Sequence, residues 1–177
     1  MTQQIIDQII DVIREYYPDI QEYDFEIYPG NKSLKKLTEV CQYHESNQES
    51  WLRFKGQLLI KFFGISLIEN TLLIGNEPSY RVSIVFEKKK FAYFLLQLSV
   101  IVNCYNLVLV DPGSLTHQEI ADIKNDIEML VAEYSPGFMH IENPYSYKLN
   151  DIVVPNNHDS LYVPSIGDFI FSLRTLL

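Results

Sequence analysis

A switch between two hydrophobic periods constrains the fold of this chain more than any other feature. Ile5, Ile6, Ile9, Ile10 and Ile13 recur at i, i+1, i+4, i+5 and i+8, one apolar stripe of a helix that Thr2 caps and Pro18 closes. Tyr80, Val82, Ile84 and Phe86 instead recur at every second position, the period of a half-buried strand. A chain holding both must lay helices on a sheet. The expected class is α/β or α+β: residues 1–177 as a single globular domain, a mixed sheet with about four to five helices packed on it.

The remaining elements follow from the same signals. Tyr23, Phe25 and Ile27 alternate with Glu22, Asp24 and Glu26, which predicts a strand with one wholly acidic face; Pro29-Gly30-Asn31 ends it in a turn. Ser33 caps a helix with Leu34, Leu37, Val40 and Cys41 in a row. The apolar stretch from Trp51 to Ile74 is punctuated by Gly56, Gly64 and Gly75 and reads as short strands near 58–63 and 66–74. After Lys88-Lys89-Lys90, the run from Phe91 to Tyr105 reads as a buried helix, followed by a strand at Leu107–Val110 and a turn at Asp111-Pro112-Gly113. Strand, helix and strand in that order suggest a crossover unit with parallel pairing.

Thr116 and Glu119 form a capping box opening a helix with Ile120, Ile123, Ile127, Leu130, Val131 and Tyr134 inward, stopped at Ser135-Pro136-Gly137. Residues 138–164 hold three prolines and short apolar runs, which predict strands or loops with irregular turns. Ser165 and Asp168 form a second box, opening a helix that packs Ile166, Phe169, Ile170, Leu173 and Leu177.

Apolar residues make up 47% of the chain and charged residues 21%, a globular composition. Cys41 and Cys104 stand in apolar neighbourhoods and are expected as buried free thiols. The start, with no basic segment and an acid at Asp7, does not read as a signal peptide, and the Phe91–Val102 run is too short to span a bilayer. A soluble, cytoplasmic protein is expected. Its charge is unevenly spread: residues 1–30 carry a net −6, residues 31–104 a net +4 and residues 105–177 a net −7, within a total of −9. That balance opposes nucleic-acid binding and favours a basic partner.

The chain carries no glycine-rich phosphate loop and no nucleophile elbow. His140-Ile141-Glu142 matches half of a zinc deaminase site, but Cys41 and Cys104 do not form the turn that would supply the thiolates. Asp19, Glu87 and Lys89 have the residue types of a metal-dependent nuclease, although Glu87–Lys90 reads equally as a charged strand end. The three carboxylates Glu22, Asp24 and Glu26 stand about 7 Å apart along one strand face, a surface suited to a cationic partner or simply to water. Tyr145 and Tyr147, with Asp159 and Tyr162, add recognition-type residues on loops that proline also punctuates for structural reasons.

With its acidic ends, its acidic strand and no catalytic motif, the chain resembles in profile the bacterial immunity proteins of contact-dependent and related polymorphic toxin systems. That resemblance implies one-to-one binding of a cognate toxin domain, often a basic nuclease, with no catalysis and no cofactor. It assigns partner binding to Glu22, Asp24, Glu26, Tyr145, Tyr147 and Asp159, which would pair with toxin lysines and arginines. The alternatives are a secretion chaperone, which predicts an exposed apolar groove and a dimer, and a metal-dependent hydrolase using Asp19, Glu87 and Lys89, or His140 and Glu142.

Overall fold

The computed structural model describes residues 2–17, 35–73, 77–149, 154–155 and 161–171. The expected acidic strand at 22–28, with Asp19 and Asp159, lies outside the described residues. Three helices come first: α1 (Gln3–Tyr16), α2 (Lys35–Ser46) and α3 (Glu49–Lys61). Strands β1 (Ile65–Glu69), β2 (Ser79–Phe86), β3 (Ala92–Ser99) and β4 (Cys104–Asp111) follow. Then come α4 (His117–Tyr134), β5 (Met139–His140), the short pair β6 (Val154–Pro155) and β7 (Leu161–Tyr162), and α5 (Ile166–Ile170).

The five-stranded sheet has the order β1-β2-β3-β4-β5. Its first four strands form an antiparallel meander, and β5 joins β4 in parallel. A mixed sheet with five helices among the described residues makes an α+β fold, as expected.

Two expected elements are wrong in kind. The segment 91–105, read as a buried helix, is β3 and the start of β4. There is accordingly no parallel unit between β2 and β4. The crossover is β4-α4-β5 instead. The reason lies in the turn before β3, where Lys90 and Phe91 both take positive φ. Tight reversals of that hand normally show themselves through Gly or Asn; here a lysine and a phenylalanine do the work unannounced. The second error is the short strand near 58–63; the strand expected near 66–74 is present as β1. Residues 49–61 form α3, and β1 spans 65–69.

At α4 and α5 the capping boxes are present as expected. Thr116 Oγ accepts from the Glu119 amide at 3.2 Å, and the Glu119 carboxylate accepts from the Thr116 amide at 2.8 Å. At α5 the Ser165 amide and hydroxyl donate to Asp168 at 2.6 and 2.8 Å. Gly113, at φ +51°, holds the β4–α4 turn so close to the Lys89 carbonyl and the Ala92 backbone that a Cβ could not fit. Cys41 and Cys104 are buried and free.

The helices divide between the two faces of the sheet. On one face, β2, β3 and β4 present Tyr80, Val82 and Ile84 beside Phe94, Leu96, Leu98 and Leu107, all buried. Trp51 of α3 stacks on Tyr80 at 5.0 Å, and Tyr80 donates to the His44 carbonyl of α2 at 2.8 Å. α4 packs Ile123, Ile127 and Val131 inward beside α3, and Phe54 meets Tyr134 edge-on at 6.2 Å. On the other face, Ser79 donates to the Phe171 carbonyl at the end of α5, at 2.5 Å. α1 closes on α5 through Tyr17, whose ring meets Phe169 at 5.0 Å and whose hydroxyl donates to the Phe169 carbonyl. No described helix is long and apolar enough to cross a membrane.

Candidate functional site: a cleft beside β5

The parallel β5 strand is only two residues long, so the chain leaves the sheet at once and bends over its edge. The Met139 amide donates to Asn103 and the Ile141 amide to Tyr105, at 3.0 and 2.8 Å, which pins this segment against β4. Asn143 then turns with positive φ into a 3-10 turn at Pro144–Ser146. The Ile166 amide donates to the Tyr147 carbonyl at 2.9 Å, tying the bend to α5. Between this bend and α1 lies a cleft of about 350 Å³, lined by Ile5, Met139, His140, Ile141, Glu142 and Tyr147. Ile141 is buried beneath it, Ile5 and Tyr147 are half-buried, and Met139, His140 and Glu142 are exposed.

His140 is held from two sides. Its ring stacks on Tyr105 with centroids 4.9 Å apart and 9° between planes. Its Nδ1 lies 3.3 Å from a Glu128 carboxylate oxygen on α4. Burial, and then the negative charge of Glu128, push the Tyr105 hydroxyl up to about 12, so this phenol stays protonated and neutral at physiological pH. Within the cleft itself, the Tyr147 ring and the Glu142 carboxylate form a setting that attracts a lysine or arginine side chain by charge and by cation–π contact.

The structure separates the residues that the sequence had grouped. Tyr147 lines the cleft. Tyr145, two residues earlier, does not: it is half-buried, with its hydroxyl 3.2 Å from Gln97 Nε2 and its ring against Gly167. Glu22, Asp24, Glu26 and Asp159 are not among the described residues. His140 pairs with Glu128, although Glu142 also borders the cleft. Glu87 accepts from Ser66, and Lys89 reaches Glu119 at 2.5 Å. Glu87 and Lys89 follow β2 at Phe86, whereas His140 aligns with Tyr105, Leu98 and Tyr80, toward the opposite end of the sheet. Among the described residues no group of three or more His, Cys, Asp or Glu side chains is arranged to hold a metal ion. Glu128 and Tyr105 escaped sequence reasoning, since only the β4-α4-β5 crossover brings them to His140. Comparison of the chain with family models, curated proteins and solved structures gives no match in any of the three.

Proposed function

We propose that this protein is a recognition module for a basic protein partner, with the toxin-immunity role as its specific form. The observation that carries the reading is the cleft beside β5. Glu142 lines it beside the Tyr147 and His140 side chains, within the segment 105–177 that carries a net −7. A cationic side chain of the partner enters the cleft, and the surrounding acidic surface speeds encounter and fixes register. The described positions Tyr145 and Tyr147 then divide the labour: Tyr147 meets the partner, while Tyr145 supports the bend from beneath.

The test is capture of partners from native lysate by the tagged wild-type chain and by Glu142→Lys with Tyr147→Ala, at low and high salt. A folded basic protein held at one-to-one stoichiometry, and lost about tenfold or more in the variant, supports the reading. Equal capture by both chains overturns the cleft, and no partner at either salt overturns the function. The secretion-chaperone reading keeps one supporting observation, the exposed apolar side chains of α3; it expects an unfolded segment as the captured species.

A further inference from the structure

The apolar residues of α3 are distributed in an unusual way. Trp51, Phe54 and Leu58 are buried, yet Leu52, Leu59 and Ile60 are more than half exposed on the same helix. With Gly56, which has open space around its Cα, the positions 52, 56, 59 and 60 make a second stripe at i, i+4, i+7 and i+8. Phe63, in the turn that follows, is 93% exposed and Ile60 75%.

The ion pairs of α3 show where this stripe points. Lys61 reaches Asp126 of α4 at 2.9 Å, so one flank of α3 turns towards α4. Lys55 and Trp51 reach Glu69 of β1, so the other flank turns towards the sheet edge. Leu59 and Leu52 follow Lys55 around the helix, on the side away from α4. The stripe therefore lies beside the edge of β1, where Leu72 is also more than half exposed, and Ile68 is exposed on the other side of that edge strand.

Among the described residues β1 ends the sheet and pairs only with β2. The Asn70 amide donates to the Arg81 carbonyl at 2.9 Å, and the register alternates from there. Ser66 and Ile68 thus bond to β2, while the amides of Ile65, Leu67 and Glu69 face outward. An edge of this kind next to an apolar stripe is a surface for strand addition.

We propose that this face pairs with a second copy of the chain, β1 against β1 in antiparallel register with the two α3 helices flanking the junction. A twofold axis near Leu67 sets each copy's Ile65 opposite the other's Glu69. Charge supports a second copy over a charged partner. Glu49 pairs with Arg53 and Lys55 with Glu69, so the face is internally neutral. It lies in the segment 31–104, the part of the chain that is not acidic, where two molecules of net charge −9 repel least. Size supports it too: Leu52, Leu59, Ile60, Phe63 and Leu72 offer roughly 600 Å² per copy on the α3 side, at the upper end for a monomer's largest patch, and Ile68 with the strand edge brings the total near the standard for a stable interface.

Sedimentation equilibrium of the full chain up to roughly 100 µM tests this. The expected result is a species of twice the 20.7 kDa chain mass, with little dependence on salt. Ile60→Asp and Phe63→Asp each weaken association by about tenfold or more, as does Ile68→Lys at the strand edge. These side chains are exposed, so folding is checked simply by circular dichroism. Met129→Asp, on the exposed side of α4, leaves the dimer intact. A monomer throughout the range overturns the proposal, as does a dimer indifferent to all three variants. A different protein or a peptide seated on this face of a monomeric chain overturns it as well.

Discussion

On the sheet face that α2, α3 and α4 cover, the buried side chains of β2 to β4 are Tyr80, Val82, Ile84, Phe94, Leu96, Leu98, Tyr105 and Leu107. On the opposite face, Ser79, Gln97, Ser99 and Asn106 are buried just as deeply. The first face is closed by area and the second by satisfied polar groups. Asn106 donates to Gln97 Oε1 at 3.0 Å, Gln97 to the Tyr145 hydroxyl, and Ser79 to the Phe171 carbonyl. Apolar packing tolerates many arrangements of similar volume, whereas a hydrogen-bonded layer accepts few. The polar face thus fixes where the C-terminal segment sits, and with it the bend at 141–149 that shapes the cleft.

The largest effect separates the two faces directly. Phe54 is 2% exposed and stacks on Trp51 with centroids 5.5 Å apart. Phe54→Ala should cost about 3–5 kcal/mol in urea unfolding, because it removes buried area and leaves a cavity. Trp51 is the only tryptophan, so its fluorescence reports both the local loss and the global transition. A cost below about 1 kcal/mol would mean that the helical face packs loosely and that area is not what closes it.

On the polar face the expected result is an asymmetry. Asn106→Leu alone should cost about 1–3 kcal/mol, since it leaves buried polar atoms of Gln97 short of a partner. Combining it with Gln97→Leu and Tyr145→Phe should return part of that loss, because the remaining surface is then uniformly apolar. A triple variant less stable than the sum of its parts would show that the network contributes more than the satisfaction of its own members. The same triple variant should also weaken partner capture through the cleft, by loosening the bend.

What could be read from the sequence follows the same division. α4 and α5 were legible because stripe and cap agree, α1 from its stripe, and β2 because only one of its faces is fully apolar. β3 was not: it is buried on both faces, so Phe94 and Leu96 on one side meet Leu95, Gln97 and Ser99 on the other, and the period of two disappears. α3 failed for the opposite reason. Its exposed Leu52, Leu59 and Ile60 fill in the polar side of the helix and hide the period of 3.6. At the cleft, Tyr147 could be picked out as a loop aromatic, while Glu128, which holds His140 from α4, shows as nothing more than one of several acids on that helix.

Alkaline pH probes the buried hydroxyls and thiols without mutation. Burial holds the Tyr80 hydroxyl at about 12 and Tyr105 likewise, against an ordinary 10.0; the Cys41 thiol stands at about 12 against 9.0, and burial raises Cys104 as well. A native pKa above the unfolded one stabilises the fold at every pH below the unfolded value, and that contribution is lost as pH rises towards the native value. Unfolding free energy should thus be flat from neutrality to pH about 9 and fall steeply beyond it. Tyr80→Phe should flatten part of that fall. A fall of unchanged steepness in Tyr80→Phe and Tyr105→Phe together would place the alkaline sensitivity in the thiols.

The smallest effects come from the two capping boxes, which repeat the comparison at the scale of one residue. Ser165 is buried with Asp168 against the polar face, whereas Thr116 is exposed at the start of α4. Thr116→Ala should cost about 1 kcal/mol, the usual worth of an exposed cap. Ser165→Ala should cost more, because it strips a hydroxyl donor from a fully buried carboxylate. The exposed box also carries a pH signature. The Lys89 ammonium, and then the Thr116 amide and hydroxyl, pull the Glu119 carboxyl down to about 2. A depressed native pKa gives stability that is present above the unfolded value of 4.5 and lost as pH falls towards 2. Because the group is exposed, added salt should shrink this acid-side loss. Lys89→Met, which removes the first of these causes, should shrink it further in urea titrations between pH about 5 and 2, while leaving the cost of Ser165→Ala unchanged.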